Sequence, residues 1–271
     1  MKRIRIGASD HLAIRPLLLG LVEHAPKGVE LVYEEPGPLT VALERGDLDA
    51  ALIPSIEYLR GVGAVALPGP ALVANERTMG LVLVTEKPFS EIKRVAVEEF
   101  SGTPLVALRV VLDKLHGILP DLCILKRKPL GTSNWREEFD AALLMNDDAL
   151  AYACGEKRPA ESCHDVGEMW RSVFSSPLVV SVWAYNDPRL GKNIESILVS
   201  SRDRGVENIP AISESLAQTS LYDERFLHEY FSSAWSYDLG SGEEEGLRVL
   251  EDAACEYELL QTRRLKMFVT T

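Results

Sequence analysis

Five short polar segments interrupt the apolar runs of this 271-residue chain, and they carry the residue types from which an anion site is built. They are Gly7-Ala8-Ser9-Asp10-His11, Ile53-Pro54-Ser55-Ile56-Glu57, Glu76-Arg77-Thr78-Met79-Gly80, Phe100-Ser101-Gly102-Thr103 and Met145-Asn146-Asp147-Asp148. Ser9, Ser55, Thr78 and Asn146 offer neutral side-chain donors. Ser101, Gly102 and Thr103 stand where a helix should begin, so its free backbone N–H groups can receive a carboxylate, and Gly102 lets a ligand come close. The plainer alternative there is an ordinary helix cap. His11 can donate to an oxygen or take a proton; it fits a solvent-facing place in a first helical turn equally well. Asp10 is a helix-cap candidate, and Asp147 either orients a donor or caps the helix after it. Arg15 and Arg77 are candidate counter-charges for an anion, or plain surface arginines.

These segments need elements to position them. In the first third, strand-like RIRIGA, VELVYEE and LDAALIP alternate with the helical patterns HLAIRPLLLGLVEH, with Ser9 or Asp10 as its cap, and PLTVALERGD, closed by Gly46. This βαβαβ order favours parallel strands with helices on both faces. MGLVLVTEK, RVAVEEF, DLCILKRKP and AALLM read as further strands, SGTPLVALRVVLDKLHG as a helix ending at Gly117, and SPLVVSVWAYN as a long apolar strand. From Asp187 onward the pattern is helical and amphipathic. The expected fold is α/β and two-lobed, with the chain crossing near 84–88 and 180–186. Residues 1–85 plus 185–271 then make one lobe and 86–184 the other. Loops at the carboxyl ends of the strands converge on the cleft between them, which gathers all five polar segments around one cavity.

Composition narrows the partner. An apolar content of 46% can bury a large core, and a net charge of −12 argues against nucleic acid. No apolar run approaches the ~20 residues that span a membrane. The opening MKRIRIGASD lacks an apolar signal core, and Cys123, Cys154, Cys163 and Cys255 show no paired spacing, so a cytoplasmic protein with reduced thiols is expected. His24, His116, His164 and His228 show no metal or nucleophile spacing, and no metal site is expected. Trp135, Trp170, Trp183 and Trp235 read as packing.

Through most of its length the chain resembles the chorismate dehydratase family, the first step of the futalosine route to menaquinone. The resemblance is carried by RIGASDHLAIRPLLLGL, ALERGDLDAALIPSIEYLR, AALLMNDDALAYA, DVGEMWRSVFSSPLVVSVWA and YFSSAWSYDLGSGEEEGLRVLEDA, in that order, and the second is the most specific. It implies a fold like the type II periplasmic binding proteins, with mixed sheets flanked by helices and a cleft between lobes. It also implies a lyase that takes chorismate, a small anionic substrate, to 3-[(1-carboxyvinyl)oxy]benzoate with no cofactor. Against the family pattern, Ala13 stands for an Asn, His11 for a Tyr and Gly80 for a pocket Ser.

The substrate-binding residues expected on this basis are Ser9, Asp10, His11, Ser55, Thr78, Gly80, Ser101, Gly102, Thr103, Asn146 and Asp147, with His11 the catalytic candidate. The departures leave a second reading, a non-catalytic binder of a small carboxylate on the same scaffold. A third, the dihydroxynaphthoate-forming synthase of the same pathway, shares the scaffold, but the PSIEY segment speaks for the dehydratase branch.

Overall fold

Fully buried strands set the frame, and the helices cover their faces. The computed structural model describes residues 3–75, 77–99, 102–125, 134–154, 163–261 and 264–265. The first lobe begins with β1 (Ile4–Ala8), a 3-10 turn (Leu12–Ile14), α1 (Arg15–His24), β2 (Val29–Tyr33), α2 (Pro36–Arg45), β3 (Ala50–Pro54), α3 (Ser55–Arg60) and β4 (Val65–Ala74). The chain then builds the second lobe from β5 (Leu81–Thr85), β6 (Arg94–Glu98), α4 (Gly102–His116), β7 (Asp121–Leu125), β8 (Ala141–Met145), α5 (Asn146–Cys154), β9 (Cys163–Asp165) and α6 (Val166–Phe174). It returns through β10 (Leu178–Tyr185), α7 (Gly191–Glu207), α8 (Ile209–Ala217), α9 (Glu224–Glu229), a π-helical turn (Tyr230–Ala234), β11 (Trp235–Leu239) and α10 (Ser241–Glu256).

The first sheet has the order β11-β4-β10-β3-β1-β2 and the second β7-β6-β8-β5-β9. Both are mixed. β1 runs parallel to β2 and β3, while β10 is antiparallel to β3 and β4. In the second sheet β6 runs parallel to β7 and β8, and β5 is antiparallel to β8 and β9. β3, β5 and β8 are buried at every position, the pattern of strands covered on both faces.

Sheet membership corrects the expected crossings. Residues 81–85 pair with β8 and β9 in the second sheet, and residues 178–185 sit between β3 and β4 in the first. The chain therefore crosses within 75–80 and returns between Asp165 and Leu178, not at 84–88 and 180–186. The physical reason is that each expected crossing falls at the end of an apolar strand that needs neighbours on both sides. Three strands were not legible, among them the three-residue β9, too short to show an alternating pattern. β4 contains Pro68 and Pro70, which lack a donor and argue against a central strand; the β11 pairing accommodates Pro70 with a register shift between Ser236 and Asp238. β11 follows a helical pattern with no turn signal.

Asp140 ties the second lobe's strand ends together. Its carboxylate accepts from Lys87 Nζ at 2.5 Å and from the backbone N–H of Lys93 and Arg94 at 2.9 Å each. These bonds, the Lys87 one foremost, hold its pKa down to about 2 against the opposing effect of burial. A depressed carboxylate stabilises the fold fully above the ordinary Asp range and loses that contribution as pH falls through its folded value. Asp140→Asn should therefore lower the urea midpoint near neutral pH and match the wild type near pH 2, a convergence that midpoints measured across that range will show.

Candidate functional site

The turns after β1, β3 and β8 and the first turn of α4 face one another between the sheets, with the start of β5 beside them. They enclose a cavity of about 60 Å³. Ser9, His11, Asn146 and Ser181 give it polar lining, and Ala13, Leu52, Pro54, Leu81, Pro104 and Trp235 much of the apolar remainder. Small-molecule sites run from roughly 300 Å³ upward. The lobes must therefore part, or the wall must move, before a substrate-sized acid fits.

The cleft is stitched by helix caps supplied across it. Thr103, fully buried in the first turn of α4, accepts at Oγ1 from the Ile56 N–H at the start of α3, 3.2 Å away. Asp147, in the first turn of α5, accepts at Oδ1 from Leu12 N–H at 3.0 Å. Neither helix start of the first lobe has a side-chain cap of its own. Each orphan donor of a helix N-terminus needs a partner, and here the opposite lobe provides it. So the expected cap from Ser9 or Asp10 is absent. Asp10 is exposed and pairs with Arg15 at 2.8 Å, which takes that arginine out of the list of free counter-charges. Arg77 is exposed and outside the cavity lining.

Asp165 organises the hinge. Its Oδ2 accepts from Thr78 N–H (2.9 Å), Thr78 Oγ1 (3.2 Å) and Met79 N–H (2.7 Å), and its Oδ1 accepts from Glu168 N–H (3.1 Å) as the cap of α6. One carboxylate thus joins the outgoing crossing to the start of the return. Burial lifts its pKa, and the four hydrogen bonds oppose that rise. Met79 sits at φ 54°, a left-handed conformation rare for a side chain of its kind, and these bonds hold it there.

Three polar atoms around the cavity are shielded from solvent and have no hydrogen-bond partner: His11 Nε2, Ser55 Oγ and Trp235 Nε1. His11 Nε2 lies 3.5 Å from Glu35 Oε2, too poorly aligned for a bond. An unsatisfied buried polar group costs about 1–3 kcal/mol. No Lys or Arg is among the cavity's described lining residues, so an anion here meets neutral donors and helix N-termini.

The family model for menaquinone biosynthesis matches residues 4–256. The chain belongs to the menaquinone biosynthesis family. Among solved structures, a protein of Archaeoglobus fulgidus aligns with a TM-score of 0.75 at 16% identity, covering 95% of this chain and 98% of its own. The alkanesulfonate-binding protein SsuA of Xanthomonas axonopodis pv. citri, bound to MOPS, aligns at 0.66 and 17% identity, covering 98% and 96%. A Candida albicans gene product described as having the generic periplasmic binding protein fold aligns at 0.61 and 12%, covering 100% and 99%. These likenesses establish the fold, two-lobed and periplasmic-binding-protein-like.

Set against this family member's cavity, the expected site residues separate. Ser9, His11 and Asn146 line it. Asn146 adopts φ 53°, a left-handed conformation Asn tolerates, and its N–H bonds to Gly80 O at 2.8 Å. Ser55 is fully buried beside the lining residue Pro54. Thr78 serves the hinge, Thr103 and Asp147 the caps, and Asp10 an exposed ion pair. Ser101 lies outside the described residues.

Gly102 does allow a close approach, but of Pro54: at φ 47°, a Cβ there would stand 2.7 Å from Pro54 Cβ. At Gly80 a Cβ would meet Trp235 Cζ2 at 2.9 Å, so the indole takes the space of a residue-80 side chain. Ser181 and Trp235 are lining residues that sequence reading missed. Ser181 could have been found as the lone serine inside the apolar run LVVSVWAY; Trp235 gave no signal beyond its size.

Two outcomes test this geometry. Thr103→Val keeps the shape, strands the buried Ile56 N–H and should cost about 1–3 kcal/mol in urea unfolding at an unchanged m-value. Gly80→Ser should cost a similar ~1–3 kcal/mol through overpacking on Trp235, read as a fall in melting temperature.

Proposed function

We propose that this protein is a chorismate dehydratase, a hydro-lyase that forms 3-[(1-carboxyvinyl)oxy]benzoate for menaquinone biosynthesis in the cytoplasm, with no metal or organic cofactor. The observation that carries the reading is the cavity between the lobes, ringed by helix starts and by the unpartnered His11 Nε2, Ser55 Oγ and Trp235 Nε1, in a chain of the menaquinone biosynthesis family. An oxygen-rich ligand with carboxylates satisfies such groups. In the same fold, the alkanesulfonate-binding neighbour bound to MOPS is a precedent for a small organic anion. Cys123, Cys163 and Cys255 are free thiols, which suits a reducing compartment.

The reaction breaks one ring C–H bond and the neighbouring C–O bond; proton and hydroxyl leave as water, and the C–H electron pair completes an aromatic ring. Aromaticity supplies the driving force, so the protein's tasks are orientation and proton handling. Among the described lining residues His11 is the one titratable side chain, and its Nε2, which makes no hydrogen bond and lies 3.5 Å from Glu35 Oε2, suits it to take the ring proton or to protonate the departing hydroxyl. A carboxylate of the substrate can serve as the base in its place. Neutral donors and helix N-termini then hold the carboxylates.

The test is incubation with chorismate, following the aromatic product by absorbance and mass. Turnover is expected, with His11→Ala lowering kcat about 10²-fold or more at an unchanged melting temperature. A saturable rise in melting temperature without product would replace this reading with the non-catalytic carboxylate binder. Neither product nor a thermal shift would overturn both.

A further inference from the structure

The aromatic corner at the start of β11 is used by no step above, yet it forms one wall of the cavity. Trp235 is 4% exposed and lines the cavity with Ser181, Leu72 and Leu81. Its Nε1 is closed off from solvent and makes no well-formed hydrogen bond, only a loose contact with the buried Tyr230 side chain, although a buried indole N–H usually finds a good acceptor. Trp170 and Trp183 also have unpartnered indoles, but neither lines this cavity.

The ring is held firmly. It follows directly on the π-helical turn 230–234, and Tyr230 meets it edge-on, with centroids 6.2 Å apart and planes at 81°. On the other side Gly80 lacks the Cβ that would collide with Cζ2. The Tyr230 hydroxyl lies 3.3 Å from where that Cβ would be. It interacts with the Trp235 side chain, a contact that opposes the effect of burial on the phenol although it is too loose to satisfy either polar atom. Burial raises the pKa of the phenol, which keeps it protonated. The indole, with the neutral phenol behind it, therefore stands at a cavity whose described lining carries no cationic side chain.

We propose that Trp235 is a ligand-contacting specificity residue whose indole N–H donates to an oxygen of a small cyclic carboxylate, with Tyr230 behind it as a positioning residue. This rests on reading the cavity as the site of a small organic anion. It adds that the flat indole, occupying the space above Gly80, selects a planar ring face and supplies the donor on that wall. A ring stacked or edge-on against indole gains beyond simple burial, which favours cyclic over open-chain acids.

The test uses the whole chain, labelled with ¹⁵N at tryptophan, and titrates chorismate and benzoate in separate experiments. Through-bond assignment on the wild type identifies the Trp235 indole signal without a variant. That signal should move downfield on saturation, while the Trp170 and Trp183 indoles stay in place. Trp235→Phe should weaken binding of the same probe about tenfold at an unchanged melting temperature, and Tyr230→Phe should broaden or shift the Trp235 indole signal in the free protein.

A bound probe, shown by a raised melting temperature, that leaves the Trp235 signal unmoved would overturn the proposal. Chorismate bound through Trp235 without product upholds it while removing the dehydratase reading. Benzoate bound through Trp235 with no chorismate binding upholds it and removes chorismate as substrate. Binding of neither probe overturns it together with the small-anion reading.

Discussion

The structure depends on helix starts in one lobe being capped by side chains of the other. The Leu12 and Ile56 N–H groups face a cleft where water would otherwise have to satisfy them, and Asp147 and Thr103 take that place. The arrangement makes closure favourable without an ion pair across these two turns. It also ties the turns that enclose the cavity to the contact that shuts it. When the lobes separate, the same donors are uncovered at the site where an anion would arrive, so opening the cleft and exposing anion-binding groups are one event.

The hinge shares this economy. Asp165 binds both backbone amides of Thr78–Met79, the hydroxyl of Thr78 and the first turn of α6 through a single carboxylate. Beyond it, the Gly80–Asn146 hydrogen bond continues the pairing of β5 with β8 up to the cavity edge. The outgoing crossing and the start of the return are thus fixed to one another by a single side chain. Met79 takes a left-handed conformation within this crossing.

Much of this frame was legible in the sequence because burial writes itself as apolar runs. AALIP and AALLM read as covered strands, and the polar residues immediately after them mark the strand ends, where α3 and α5 begin. Partners across the cleft were not legible. Asp147 and Leu12 are 135 residues apart, and nothing local distinguishes a carboxylate that caps its own helix from one that caps another lobe's. Gly102 was read as making room for a ligand, whereas the room is taken by Pro54; a glycine reveals close approach but not what approaches. Trp235 was read as packing, which it is, and also lines the cavity, a distinction set by the π-helical turn that precedes it. Lobe boundaries slipped because strands at the crossings look alike whichever sheet they join.

Amide hydrogen exchange at Leu12 and Ile56 tests most directly that these two caps and the ligand cleft belong to one opening motion. If they do, both amides exchange at a common slow rate in the free protein, and saturating chorismate slows the pair together by several-fold or more. Unequal rates that ignore the ligand would contradict it, since each helix start would then fray by itself and the contacts across the cleft would be incidental.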